Sequence, residues 1–359
     1  MLKNTIYRLN KEKKLRVGYF GGSITEGAGA SEWNRTSWRA RITKYLIGTF
    51  PDAEISEIMA AVGGTATDLG LCRCEHDLLS GNPDLVFIEF AVNDSGLSAD
   101  EQMSCYENCL RQILRYKNTV DIVCVFAATK GTETTLLETG DYSSRSAQML
   151  LAHHYGLPTV DPGEALREQI ASDGGDWLQY TTDTTHPNDE GYLIYTDVIK
   201  DALEAWLSGE TPEALQEKVV PAPLSSANLT AGKLIDLCDC KELLSDFTFI
   251  DRPFKHRFPH YFKANGIGST VRYTFEGTAF GLYWIMDDTS GILNVTLDGT
   301  VTKTLCAWDE YCRSFSRGGY VFPFKNLAHG THTVEITVSD EKHPNSKGND
   351  ISIFAFLTV

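Results

Sequence analysis

At 359 residues the chain is long enough for two domains, and its 42% apolar and 22% charged residues are ordinary globular usage, sufficient for buried cores. A formal net charge of −16 argues against nucleic acid and against anionic membrane as partners, since both would be repelled. No run of about 18 apolar residues is present to form a spanning helix.

The first stretch, MLKNTIYRLNKEKK, is charged and lacks the apolar segment of a secretory signal, which predicts a cytoplasmic protein. LRVGYF then reads as a short buried strand ending in glycines, and SWRARITKYLIGTF carries apolar residues at helical spacing. AEISEIMAAV, DLVFIEFAV and DIVCVFAAT are further buried strands. SADEQMSCYENCLRQILRYKN and SRSAQMLLAHHYG read as amphipathic helices, and GYLIYTDVIKDALEAWLSG as a closing helix with glycine at its end. This alternation predicts a parallel sheet covered by helices on both faces, three layers in all, over residues 1–210. Residues 211–233, with three prolines and few large apolar residues, predict a linker. From about Leu234 helical periodicity disappears. STVRYTFEG, AFGLYWIM, GILNVTLDG, VTKTLCAW, HTVEITVSD and ISIFAFLTV are short β-type runs, so residues 234–359 predict an antiparallel β-sandwich of jelly-roll-like type.

The nine cysteines include several in apolar runs, such as Cys124, and read as reduced core thiols. Cys72 with Cys74, and Cys238 with Cys240, form C-x-C pairs. No histidine stands at metal-ligand spacing from either, so no metal is expected.

Four short stretches carry chemistry. In VGYFGGSITEG a strand runs into Gly21 and Gly22, and Ser23 opens a turn toward a helix. That places a hydroxyl at the carboxyl end of a strand, where α/β sheets bind ligands, beside backbone N–H groups able to hold an oxyanion. Taken alone, Ser23 could equally be an N-cap. In TTDTTHPNDEGY, Asp183 and His186 lie three residues apart in a loop. A serine needs a base to take its proton, and the base needs a carboxylate to fix its tautomer. His153 and His154 fall in a helix-like stretch, so His186 alone joins a loop position to a neighbouring aspartate. In IEFAVNDSG, a strand ends at Asn93, whose amide can point at an oxyanion. In AAVGGTATDLG, Gly63 and Gly64 follow a strand, and Gly64 or Gly63 can offer a bare N–H.

In their order and spacing these blocks resemble the SGNH (GDSL-type) hydrolases: GGSIT at 21–25, VGGT at 62–65, FAVND at 90–94 and DTTHP at 183–187. The likeness covers roughly residues 15 to 208, and the spelling GGSIT resembles carbohydrate-directed members. It implies a serine esterase with Ser23 as nucleophile, His186 as base and Asp183 as its orienting carboxylate. The Ser23 and Gly64 N–H groups and the Asn93 amide would form the oxyanion hole, with no metal and no cofactor.

The second domain loosely resembles a family 35 carbohydrate-binding module. This likeness nominates Trp308 and Trp284, with Asp287, as sugar contacts, and Trp177 near the DTTH turn as a pocket wall. The combination implies removal of O-acetyl groups from oligosaccharides, with acetylated β-mannan favoured and xylan next. Two other readings stand beside it: a lipid, aryl or thioester hydrolase of the same fold, and a non-catalytic glycan-binding protein. The oligomeric state is not legible.

Overall fold

Apolar runs too short for helices, set between amphipathic stretches, have one economical arrangement: strands inside, helices outside. A computed structural model of the chain describes residues 2–225, 232–255 and 258–359. It forms two compact units, residues 1–229 and 230–359.

In the first unit, β1 (Lys14–Gly21), β2 (Glu54–Ala61), β3 (Leu85–Glu89), β4 (Asp121–Val125) and β5 (Thr159–Val160) form one sheet in the order β2-β1-β3-β4-β5. Every neighbouring pair is parallel. Val17, Tyr19, Phe87 and Val123 face helices Trp38–Thr49, Pro162–Ser172 and Asp189–Leu207, whose Trp38, Leu166 and Tyr195 close that core. The other face carries helices Thr67–Arg73 and Ala99–Tyr116, where Gly70 lies against Phe20, Phe90 and Cys109. The expected three layers are therefore present. Burial pushes the Cys74 and Cys124 thiols up to about 12, in keeping with inert core thiols.

The helix starts follow local chemistry. Ser98 and Glu101 make a reciprocal capping box for Ala99–Tyr116, and Asn188 accepts from the Glu190 and Gly191 N–H groups at the head of Asp189–Leu207. Helices Thr67–Arg73, Lys130–Thr139 and Pro162–Ser172 were not expected from periodicity. Lys130–Thr139 is threonine-rich and mostly exposed, and its start is set by the Thr129 side chain.

At the opposite end of the sheet from the glycine turn, Asp84 is buried and meets three cations. It bonds the Arg16 guanidinium at 3.0 Å, lies 3.1 Å from Arg8 and bonds Lys117. Burial opposes its ionisation, but the bonds from Arg16 and Lys117 outweigh this and hold its carboxyl below the usual range.

Every pair of strands described in the second unit is antiparallel. β10 (Phe280–Met286), β13 (Arg317–Phe324) and β15 (Ser352–Thr358) form one sheet with β6 (Lys233–Asp236), β7 (Phe247–Ile250) and β8 (Tyr261–Ala264). A second sheet has the order β12-β11-β14-β9, made by β9 (Thr270–Gly277), β11 (Ile292–Leu297), β12 (Val301–Cys306) and β14 (Gly330–Val338). Leu282, Trp284 and Phe356 of the first sheet share one core with Val295, Val334 and Ile336 of the second. That is the expected sandwich. β6, β7, β8 and β13 were not expected. The glycines and proline of RGGYVFPF disguise β13 as a loop.

The segment read as a linker is described over residues 211–225 and 232–233. Its first part is strapped to the first unit: Gln216 exchanges two bonds with Asn4, Lys218 bonds Asp121, and the Leu224 and Ser225 N–H groups both reach the Glu107 carboxylate. Residues 226–231 lie outside the described residues. Among the described residues no helix is long and apolar enough to cross a membrane.

Replacing Asp84 with alanine removes the carboxylate shared by three cations, leaving Arg8 with Glu12 and Lys117 with Asn82 and Pro83 as remaining partners. Such a change is expected to cost about 3–5 kcal/mol of stability, read as a lower denaturation midpoint for the first unit.

Candidate active site

The parallel register of β1 and β3 pairs Gly21 with Glu89, so both strands deliver their next residues to the same level. Beyond β1, Gly22 leads into a short helix, Ser23–Glu26, with Ser23 at its first position. Beyond β3, the short helix Ala91–Asp94 carries Asn93. The Asn93 amide packs directly on Gly22: a Cβ there would stand 2.1 Å from Asn93 Oδ1. Only glycine permits that approach, which is why the serine block reads GGS.

The loop 181–187 brings the base. Thr181 and Pro187 form a bridge, and the Thr182 N–H donates to the His186 carbonyl. Thr184 stands in the left-handed region, with φ 65°, a rare conformation for a β-branched residue. It is held there because its N–H donates to Thr181 Oγ1 and its carbonyl accepts from the Lys130 N–H. His186 Nε2 lies 2.8 Å from Ser23 Oγ, and His186 Nδ1 lies 2.7 Å from Asp183 Oδ2. The other Asp183 oxygen accepts from the His186 and Thr185 N–H groups. Partial burial works against the Asp183 charge, but the bonds from His186 outweigh it and lower its pKa. An ionised Asp183 fixes the proton on Nδ1 and leaves Nε2 to accept from the serine.

Gly63 and Gly64 now separate. The Gly63 N–H donates to Glu26 Oε2 at 2.7 Å, and so is already used. Gly64, at φ 73°, has open space around it, and its N–H has no acceptor among the described residues. The Ser23 N–H likewise has none, being at the first turn of its helix. Ser23, His186 and Asp183 are thus joined in one line of hydrogen bonds, with Asn93 packed on Gly22 beside the serine and the Gly63–Gly64 turn tied to the serine helix through Glu26.

Three supporting residues escaped the sequence reading. Glu26 ties the Gly63–Gly64 turn to the serine helix. Asp94, beside Asn93, accepts from the Thr67 N–H, the Thr67 hydroxyl and Gln148, fastening the helix after the glycines to the one that carries Asn93. Glu89 accepts from the Thr25 hydroxyl beneath Ser23. Burial pushes Asp94 up to about 8 and Glu89 up to about 7. Their acidity gave no signal, because an acidic residue in a sequence does not announce its burial.

The expected sugar contacts fare differently. Trp177 is 7% exposed and belongs to the core of the first unit, where its carbonyl accepts from Thr181. Trp284 and Trp308, at 3% and 5%, are part of the sandwich core. None of the three offers a free ring face. Asp287 builds a turn, accepting from Thr289 and Ser290. The exposed aromatics of the Trp308 segment are instead Tyr311 and Phe315. In the first unit Trp33, also exposed, lies on the loop that follows the serine helix.

Residues 19–194 match the family model of the GDSL-like lipase/acylhydrolases. No curated protein matches the chain. Among solved structures the chain is similar to a two-domain esterase active on acetylated mannans, with a TM-score of 0.83 at 22% identity, over 100% of this chain and 95% of that one. The same esterase co-crystallised with mannopentaose gives a TM-score of 0.81 at 22% identity, covering 99% and 94%. At that identity the likeness speaks for the fold, and it extends over both units. Residues 19–194, most of the first unit, thus carry the sequence pattern of the GDSL-like lipase/acylhydrolases, and the two-unit fold is that of the acetylated-mannan esterase.

Proposed function

We propose that the chain is a carbohydrate O-deacetylase that works through an acetyl–Ser23 intermediate, with acetylated β-mannan oligosaccharides as the favoured substrate and xylan-type ones next. The observation that carries the chemistry is the unbroken line Asp183–His186–Ser23, in which the two ring nitrogens of one imidazole each have a separate partner. His186 takes the Ser23 proton as Oγ attacks the acetyl carbonyl. The charge that develops on the carbonyl oxygen is met by the Ser23 and Gly64 N–H groups and the Asn93 amide. Asp183 stabilises the imidazolium, which then gives its proton to the sugar oxygen as the bond from that oxygen to the acetyl carbon breaks, releasing the sugar with a free hydroxyl and leaving acetyl on Ser23. Water, activated by the same imidazole, releases acetate.

The substrate is argued from the second unit and from the acetylated-mannan esterase with the same two-unit fold. Tyr311 and Phe315 expose 65% and 51% of their surface, with ring centroids 6.2 Å apart. They offer apolar faces for sugar C–H groups, the role first assigned to Trp308 and Trp284. Lys255 lies near the Phe315 ring and presents a donor for sugar hydroxyls, while Arg317, beside Tyr311, is paired with Asp309.

Ser23→Ala is expected to lower turnover of a simple acetyl ester by at least about a thousandfold, and Asn93→Ala by about a hundred- to a thousandfold, both measured as kcat. Full turnover by Ser23→Ala would overturn the mechanism. Mass spectrometry of a panel of acetylated manno- and xylo-oligosaccharides is expected to show loss of acetyl groups, and acetyl esters should outrun octanoyl esters. If both oligosaccharide types are untouched while long acyl esters turn over, a lipid or aryl ester is the substrate. Tyr311→Ala and Phe315→Ala are each expected to weaken mannooligosaccharide binding by roughly two- to tenfold, with hydrolysis of a small acetyl ester unchanged.

A further inference from the structure

The C-x-C pair at Cys238 and Cys240, which gave no metal site from spacing alone, lies where two strands of the sandwich meet. β6 and β8 pair with different parts of β15: Ala355–Thr358 takes β6, and Ser352–Ile353 takes β8. The two strands therefore follow one another along successive stretches of β15. Asp236 is the last residue of β6, and His260 directly precedes β8. Asp236 also starts the helical turn Leu237–Leu243, accepting from the Cys238 N–H at 2.8 Å, and that turn carries the Cys238 thiol back to the same point.

Here His260 Nε2 lies 2.9 Å from Asp236 Oδ1 and 3.2 Å from Cys238 Sγ. One donor atom from each residue lies within 4.8 Å of the other two, and all three residues are half-buried. The pattern differs from that at Ser23. There, nucleophile and carboxylate use opposite nitrogens of the imidazole. In this cluster thiol and carboxylate converge on the same nitrogen, so the ring cannot pass a proton from one to the other. A single N–H also serves only one of two acceptors at a time. Three lone-pair atoms aimed at one point are what a cation requires.

We propose that Asp236, Cys238 and His260 bind a divalent transition-metal ion of the zinc type, with water as the fourth ligand. Mixed oxygen, nitrogen and sulfur donors suit zinc, whereas magnesium and calcium take oxygen. In a tetrahedral zinc site such donors stand roughly 3.3 to 3.6 Å apart, so a small opening of the present hydrogen-bonded cluster admits the ion. The cysteine must lose its proton on binding. The ion would clip the turn after β6 to the start of β8. The proposal does not depend on the esterase reading.

The test is a cobalt(II) titration of the full-length, chelator-washed protein. The expected result is a thiolate-to-cobalt charge-transfer absorption in the near ultraviolet, saturating at about one ion per chain and displaced by zinc. Zinc should also raise the melting temperature. Cys238→Ser should abolish the thiolate band, and His260→Ala should weaken zinc binding at least about tenfold. Cys240→Ser, at the other member of the pair, should leave the band in place. Circular dichroism checks that each variant folds; should Cys238→Ser fail to fold, loss of affinity in His260→Ala and Asp236→Asn decides. A wild-type protein without the thiolate band, or a band that survives in folded Cys238→Ser, overturns the site.

Discussion

Two parallel neighbours, β1 and β3, end level with each other, with Gly21 opposite Glu89. Because the chain continues from both ends in the same direction, the residues that follow must share a small volume above the sheet. Gly22 and Asn93 are the pair that do so, and their contact leaves no room for a side chain on the first. A slip of the register by a single residue would turn Asn93 away from the serine and put a different face of β3 into the core. Ser23 and Asn93 inherit their positions from this register, and the turn that carries Gly64 inherits its own from the neighbouring pairing of Gly21 with Ala61 at the end of β2. His186 comes from a separate loop, in which Thr184 takes up a left-handed backbone conformation, and meets Ser23 Oγ at 2.8 Å.

The buried acids behind the site are part of the same arrangement. Asp94 and Glu89 face no cation in the hydrogen bonds they make; their partners are hydroxyls, an amide and a backbone N–H. Asp84, at the other end of β3, is surrounded by arginine and lysine instead. One strand thus carries a charged anchor at its entrance and acids of raised pKa at its exit. Ion pairing suits the end that must be rigid. At the exit the acids are held by neutral donors alone, and burial raises their pKa values.

Much of this was legible in the sequence because it depends on local pattern. Buried strands, amphipathic helices and the four short blocks around Ser23, Gly64, Asn93 and His186 are each readable within a dozen residues. What failed to be legible depends on distant parts of the chain. Trp177, Trp284 and Trp308 look alike as letters, and only the packing of whole sheets decides that all three are buried. Tyr311 and Phe315 stay exposed in the same segment as Trp308 for the same reason. His260 stands too far along the chain from Cys238 for any ligand spacing to connect them; the meeting of β6 and β8 on β15 does so. The polar helix Lys130–Thr139 lacks an apolar stripe and shows itself only through its cap.

The strap at residues 211–225 has a consequence for how the first unit can be handled as a module. Glu107, Asp121 and Asn4 each have their bonding completed by this segment. A boundary drawn at the end of the last helix, Leu207, would strip a lysine from one buried acid and two backbone donors from another. The natural seam for exchanging or grafting the hydrolase unit therefore lies after Ser225 rather than where the helices stop. Polypeptide that reads as connective tissue is, in this protein, the outer edge of the unit it follows.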